Sequence, residues 1–200
     1  MKDLFNLDMN NYNPDGKVYS RPSVRAIIHQ NGKVLLIYSQ KYNYYKFPGG
    51  GIENGEKAEE ALAREVREEA GYQVISGSVE EYGQVIRRQQ DSFDENGIFE
   101  QKNYYYFCEV SDEPVDRKLD DYEEEEGFTP VWMDAVSASR HNKYEYHPEG
   151  ADLIMIKRES KVLDMADLEI RKKERLENEK KAIKALGNLD YQGISIGTWI

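Results

Sequence analysis

The stretch FPGGGIENGEKAEEALAREVREEAGY, from Phe47 to Tyr72, constrains the fold more than any other part of the chain. Three glycines open it, and a run of strong helix formers follows from about Glu56 to Ala70, with Gly71 as a natural stop. On a wheel of about 100° per residue, Ala58, Leu62, Val66 and Ala70 form one apolar ridge, widened by Ala61. Such a ridge packs on a sheet. Lys57, Glu60, Arg64 and Arg67 fall on the opposite, solvated side. Glu65 and Glu69 lie beside the ridge instead, and Glu68 lies further round the same flank.

Position matters more here than charge density. Like charges one turn apart on an exposed helix cost only about 0.2–0.5 kcal/mol. A carboxylate next to a buried face loses hydration, so it must be paired, protonated or metal-bound. No matching set of Lys or Arg lies on that edge. Hard divalent cations take oxygen ligands, and carboxylates a turn apart can converge on one. Gly49, Gly50 and Gly51 let backbone approach a ligand closely, offering a carbonyl to a metal or amides to phosphate oxygens. A glycine run is also an ordinary turn, and a glutamate cluster an ordinary solvated face. Residue chemistry alone leaves both readings open.

The rest of the chain supplies a sheet for the ridge. Two β-rich runs flank Asn31-Gly32 in SVRAIIHQNGKVLLIYSQ, a strong hairpin signal. YQVISGSVEEYGQVIRR and KNYYYFCEV read as strands joined across a polar loop. EPVDRKLDDYEEEEG reads as an acidic loop. FTPVWMDAVSA reads as a short strand entering a helix capped by Asp134, and EGADLIMIKRESKVLDMA as a further helix. Residues 1–20 read as an N-terminal arm with a turn at Asn13–Gly16, and residues 166–200 as a charged helical extension stopped at Gly187. Its apolar positions, Leu168, Ile170, Leu176, Ile183 and Leu186, suit one docked stripe on a solvated helix. The alternative is a helix for a partner or a homodimer.

From Gly50 the spacing is Gly, five residues, Glu56, seven residues, Arg64-Glu65-Val66, one residue, Glu68-Glu69, one residue, Gly71-Tyr72. This resembles the Nudix box of the Nudix hydrolases at every fixed position. Tyr72 stands where an aliphatic is more usual. The resemblance covers about residues 21–165. It implies an α/β fold, a Nudix-type α/β/α sandwich with a mixed β-sheet, here with the C-terminal helical extension added. It implies hydrolysis of a nucleoside diphosphate linked to another moiety, with Mg2+ or Mn2+. Carried over by position, Glu65, Glu68 and Glu69 would be catalytic metal ligands, joined by the Gly49 carbonyl. Arg64 would hold the carboxylates and Glu56 would support the loop. Members of the family often add a glutamate from a later loop. Glu123, Glu125 and Glu126 are the candidates, with Glu125 preferred.

The substrate is less constrained. Gly50 and Gly51 are placed to meet phosphate, and Arg25, Arg87 and Arg88 are cationic candidates for it. Tyr45, with Tyr44 and Phe47, offers a ring for a base, although strand packing is the commoner use of such residues. A proline about sixteen residues past the box accompanies ADP-ribose hydrolysis in the family. GQVIRRQQ has none, which counts against that substrate. A formal charge of -11 argues against nucleic acid polymers and anionic membranes as partners and favours a small diphosphate. Cys108 is the only cysteine, which excludes an intrachain disulfide. With no run of membrane-spanning or signal-peptide length, the expectation is a cytoplasmic protein. The rival class is a catalytically silent Nudix-fold nucleotide-binding or regulatory module. The full carboxylate set speaks against it, because a sensor has no need to keep one.

Overall fold

Asn31 and Gly32 turn the chain at φ of 50° and 73°, the left-handed pair a two-residue hairpin needs. The computed structural model describes residues 1–189. In it the turn joins β4 (His29–Gln30) to β5 (Lys33–Ser39). The paired part is shorter than the sequence suggests. The preceding run, β3 (Ser23–Ile27), leaves the hairpin and lies parallel to β8 (Ile98–Phe107) in another sheet. Every residue of β3 is buried, Ser23 and Arg25 included, so this is a strand covered on both faces rather than part of a longer hairpin.

Two sheets form the middle layer. In the first, β7 (Glu80–Gln90) and β8 form an antiparallel hairpin, as their sequences suggest. β1 (Asp3–Asp8) adds parallel to β7, and β2 (Val18–Ser20) adds parallel to the start of β8, ahead of β3. Residues 1–20, expected as an arm, thus supply two strands of this mixed sheet. The second sheet is antiparallel, with β5 paired along one edge with β4 and then β6 (Tyr44–Lys46), and along the other with β9 (Thr129–Met133). The stretch from Tyr72 to Val79 makes only an isolated bridge, Val74 to Val110, where a strand was expected.

Helices cover both sides. α1 (Ala58–Glu65) runs into a wider π-helical turn at Val66–Ala70, ended by Gly71 at φ 73°. Ala61, Leu62, Val66 and Ala70, four of the five ridge residues, pack with Val24, Ala26, Leu35 and Ile37. Tyr72 stacks edge-on against Trp132, which explains an aromatic at the last position of the box. On the other side lie α3 (Ala135–Tyr144) and α4 (Leu153–Leu189), with Ala138, Val162, Leu163, Ala166 and Ile170 against Ile27, Leu36, Val85 and Tyr105. Asp134 caps α3 by accepting from the Ser137 N–H at 2.7 Å.

Two expectations change. The acidic stretch is not all loop, since α2 (Asp121–Glu126) forms within it, closed by an Asp120–Glu123 capping box and Gly127 at φ 66°. No break separates residues 165 and 166. α4 is one helix that passes through Gly187, because no proline interrupts it and its buried stripe continues to Ile170. Beyond that, Leu176 and Ile183 are exposed, and Leu186 lies outside the described side chains. No helix among the described residues is long and apolar enough to cross a membrane.

Candidate metal centre

The glycine loop is held against β3 by main-chain bonds from Val24 N to Gly50 O (2.9 Å) and Ala26 N to Pro48 O (2.8 Å). Gly49 has φ 140°, and a Cβ there would sit 2.1 Å from the Val24 carbonyl oxygen. No other residue fits without moving the strand. A Cβ on Gly50 would lie 2.5 Å from the Glu65 carboxylate, so this glycine gives Glu65 its place. α4 fixes the entry to the loop: buried Glu159 accepts from the Phe47 N–H at 2.8 Å and from the Tyr105 hydroxyl at 2.8 Å.

Three buried carboxylates meet beside this loop. Glu65, Glu69 and Glu123 each offer an oxygen within 4.8 Å of the other two. Glu69 is fully buried and accepts from the Gly49 N–H at 2.8 Å. Its other oxygen takes the ammonium of Lys46, which is itself buried and reaches the Gly49 carbonyl at 3.5 Å. Burial raises the Glu65 carboxyl above its ordinary range, against the pull of Arg64. Burial and then the adjacent Glu69 push Glu123 up to about 7. Carboxylates this crowded and this dry lack positive charge, and the Lys46 ammonium with an Arg64 guanidinium shared with Glu56 does not balance all of them.

The sequence-predicted residues divide as follows. Arg64, placed by the wheel on the solvated side, folds back over the edge. It binds Glu56 in bidentate fashion at 2.9 Å through Nε and 2.9 Å through Nη2. It also donates to Glu65 at 2.8 Å, to Glu68 at 3.3 Å and to the Gly51 carbonyl at 3.1 Å. The wheel gives the direction of Cβ, while a guanidinium reaches several ångströms further and follows the carboxylates. The same contact lowers the Glu56 carboxyl below its usual value. Glu68 sits outside the trio, one-third exposed at the rim. Glu125, the preferred loop residue, is exposed and pairs with Lys41. In α2 it lies two residues from Glu123, so it faces away when Glu123 faces in. Glu126 accepts from Ser39 and Tyr44.

Tyr45 lies away from the carboxylates. Strand alternation puts Tyr44 and Lys46 on the side of α2 and the box helix, and turns Tyr45 onto Tyr38 and His141 at centroid distances of 4.9 and 4.8 Å. Phe47 is buried against Tyr105 and has no face free for a base. Arg88 pairs with Glu100, and Arg87 with Asp152. Arg25 is buried beneath the glycine loop. Sequence reasoning missed Lys46 and Tyr122, whose hydroxyl donates to Glu123 at 2.9 Å. Lys46 was legible as a cation one strand step before FPGGG. The Asp120-x-x-Glu123 pattern of a capping box marks a helix start, though not which of its glutamates turns inward.

The donors fit a hard divalent cation. Carboxylates and a main-chain carbonyl are the oxygen set such ions take, and the Lys46 ammonium already bridges two of them, as a stand-in positive charge between Glu69 and Gly49.

The family model for the NUDIX domain matches residues 19–154. The RNA pyrophosphohydrolase of Baumannia cicadellinicola subsp. Homalodisca coagulata is 48% identical over 52 residues, 26% of this chain and 33% of that protein. The ADP-ribose pyrophosphatase of Methanocaldococcus jannaschii is 43% identical over 61 residues, 28% of this chain and 36% of that protein. These matches span about a third of each relative's length. A NUDIX hydrolase structure from Nitrosomonas europaea aligns with TM-score 0.49 and 23% identity, over 71% of this chain and 88% of that one. With the match running through β2, β3, the glycine loop, the carboxylate helix and α2 to the start of α4, the chain belongs to the Nudix hydrolase family.

Proposed function

We propose that this protein is a metal-dependent hydrolase that cleaves the diphosphate linkage of a nucleoside diphosphate joined to another moiety. The observation that carries this reading is the buried trio Glu65, Glu69 and Glu123 beside the Gly49 carbonyl, which among the described residues takes only the Lys46 ammonium. These residues would hold Mg2+ or Mn2+. Bound there, the ion would neutralise diphosphate charge and lower the pKa of a water.

The chain's own groups do the rest. Glu69 locks the loop through the Gly49 N–H, so the carbonyl keeps its direction. Arg64 ties Glu56, Glu65, Glu68 and the Gly51 carbonyl into one rigid edge, so the carboxylates stay placed without internal repulsion opening the site. Glu68, held through Arg64 and partly open to solvent, would meet arriving water and substrate first. Gly50 and Gly51 keep that approach clear of side chains. Two relatives named for different substrates, RNA and ADP-ribose, share a pyrophosphate bond as the common chemistry, and the reading goes no further than that bond.

The test is Glu69→Gln and Glu123→Gln assayed on a panel of nucleoside diphosphate derivatives with Mg2+ and Mn2+, reading released phosphate after a coupling phosphatase. Loss of at least about a hundredfold in both variants with folding intact is expected, the size of removing one charge-stabilising group. Wild-type rates in both, or no turnover by the wild type on any member of the panel, would overturn the reading.

A further inference from the structure

Behind the glycine loop lies a second polar cavity of about 360 Å³, on the face of the first sheet that α4 covers. Arg25 from β3, Arg87 from β7 and Arg158 from α4 line it, with Gln89, Gln101 and Asp152. The three arginines are each more than nine-tenths buried. Buried guanidinium groups normally have every N–H occupied. Here Arg25 Nε and Nη1 and Arg158 Nη2 have no acceptor.

The acids nearby are already committed. Asp152 accepts from Arg87 at 2.6 Å, and Glu159 accepts from Arg158 at 3.0 Å as well as from Tyr105 and Phe47. Asp91, also on the lining, accepts from the Phe93 and Asp94 N–H groups. Among the described residues Arg25 has no carboxylate partner. It stands close enough to Glu65 and Glu159 to favour the ionised form of each. The glycine loop touches a residue of each site, with Gly50 against Glu65 and Gly49 against the Arg25 backbone.

We propose that this cavity is an oxyanion subsite, in which Arg25 and Arg158 take a phosphate group of the substrate other than the diphosphate at the carboxylates, while Arg87, whose nitrogens are held by Asp152 and Gln89, adds its charge. A guanidinium presents a planar fork that matches phosphate oxygens two at a time. The cavity is far larger than one water and falls in the size range of small-ligand sites. Naming the anion as part of the substrate rests on the hydrolase reading; the anion site itself rests on the unpartnered guanidinium groups.

The experiment titrates the metal-free protein, in EDTA, with inorganic phosphate, followed by calorimetry. One saturable site is expected. Arg25→Met weakens it by about tenfold or more, the value of a charge-assisted hydrogen bond, and Arg87→Met, which removes charge but no free donor, weakens it less. Arg25→Lys, which keeps charge and loses the fork, falls between. Arg88→Met, whose parent residue is engaged with Glu100 outside the cavity, binds as the wild type does. Thermal unfolding of each variant shows that it is folded. No saturable binding, or wild-type affinity in both Met variants, would overturn the subsite. Phosphate binding in a protein that hydrolyses no diphosphate would support the subsite and sink the hydrolase reading. Hydrolysis without phosphate binding in EDTA would do the reverse.

Discussion

Lys46→Met removes the internal cation from the carboxylate trio while keeping the length of the side chain and its packing on Phe128. Deleting one partner of a buried ion pair costs about 3–5 kcal/mol. The loss here belongs at the lower end, because Glu123, already pushed up to about 7, can take a proton and relieve part of the repulsion. About 3 kcal/mol corresponds to a Tm lower by about 6–12 °C for a chain of this size. A divalent cation should then recover it. At one hundred times Kd, a ligand that binds only the folded state contributes about 2.7 kcal/mol. In the wild type the ion must first move the ammonium off Glu69 and Gly49, so its gain is smaller and its affinity weaker. The assay is thermal unfolding of both proteins in EDTA and across a Mg2+ and Mn2+ titration. Equal Tm in EDTA would refute the claim that Lys46 balances the trio. An equal metal-induced shift in both proteins would refute the claim that ammonium and metal compete for the same oxygens.

Three further outcomes follow from the same geometry. Glu125→Gln should hydrolyse at the wild-type rate while Glu123→Gln does not, since only Glu123 joins the trio; matched losses would put the ligand on the wrong residue of α2. The Glu123 carboxyl titrates near 7 when folded against an ordinary 4.5, so its contribution to the metal-free protein is full below 4.5 and is lost as pH rises through 7. Tm in EDTA should therefore fall over that window, and the fall should shrink in Glu123→Gln; a slope of the same size in both would assign the titration elsewhere. Truncation after Met165 should destabilise the fold by removing buried Ala166 and Ile170 and the Lys173–Glu80 pair, whereas truncation after Arg175 should leave the melting curve within about 2 °C of the full chain.

How far the sequence could be read depends on the range of each interaction. The ridge of α1 was legible because it is set by local helical geometry, and so were the turn at Asn31-Gly32 and the cap at Asp134. Strand partners were not. β3 reads as half of a hairpin, yet it pairs with β8 about eighty residues away, and nothing in SVRAI names that partner. The same limit applied to residues 1–20, whose polar composition hides two strands, although Leu4, Phe5 and Leu7 of the first pack against the core.

The site follows the same rule with one difference. Glu65 and Glu69 were legible because their burial is decided within their own helix. The third member of the trio was legible only as a set of acidic residues, because choosing Glu123 over Glu125 needs the phase of a six-residue helix that ordinary helix signals barely mark. For Arg64 the resemblance gave the carboxylate contacts and the wheel did not, because the end of a long side chain goes where the charge is, and the charge was on the other side of the wheel edge. Lys46 and Arg25 have opposite histories for one reason. Both are buried cations on strands beside the glycine loop, and one found a carboxylate while the other did not. A buried cation with a partner completes a site, whereas a buried cation without one calls for an anion from outside the chain. The difference between them points from the centre that would hold a metal to the cavity that would hold a phosphate.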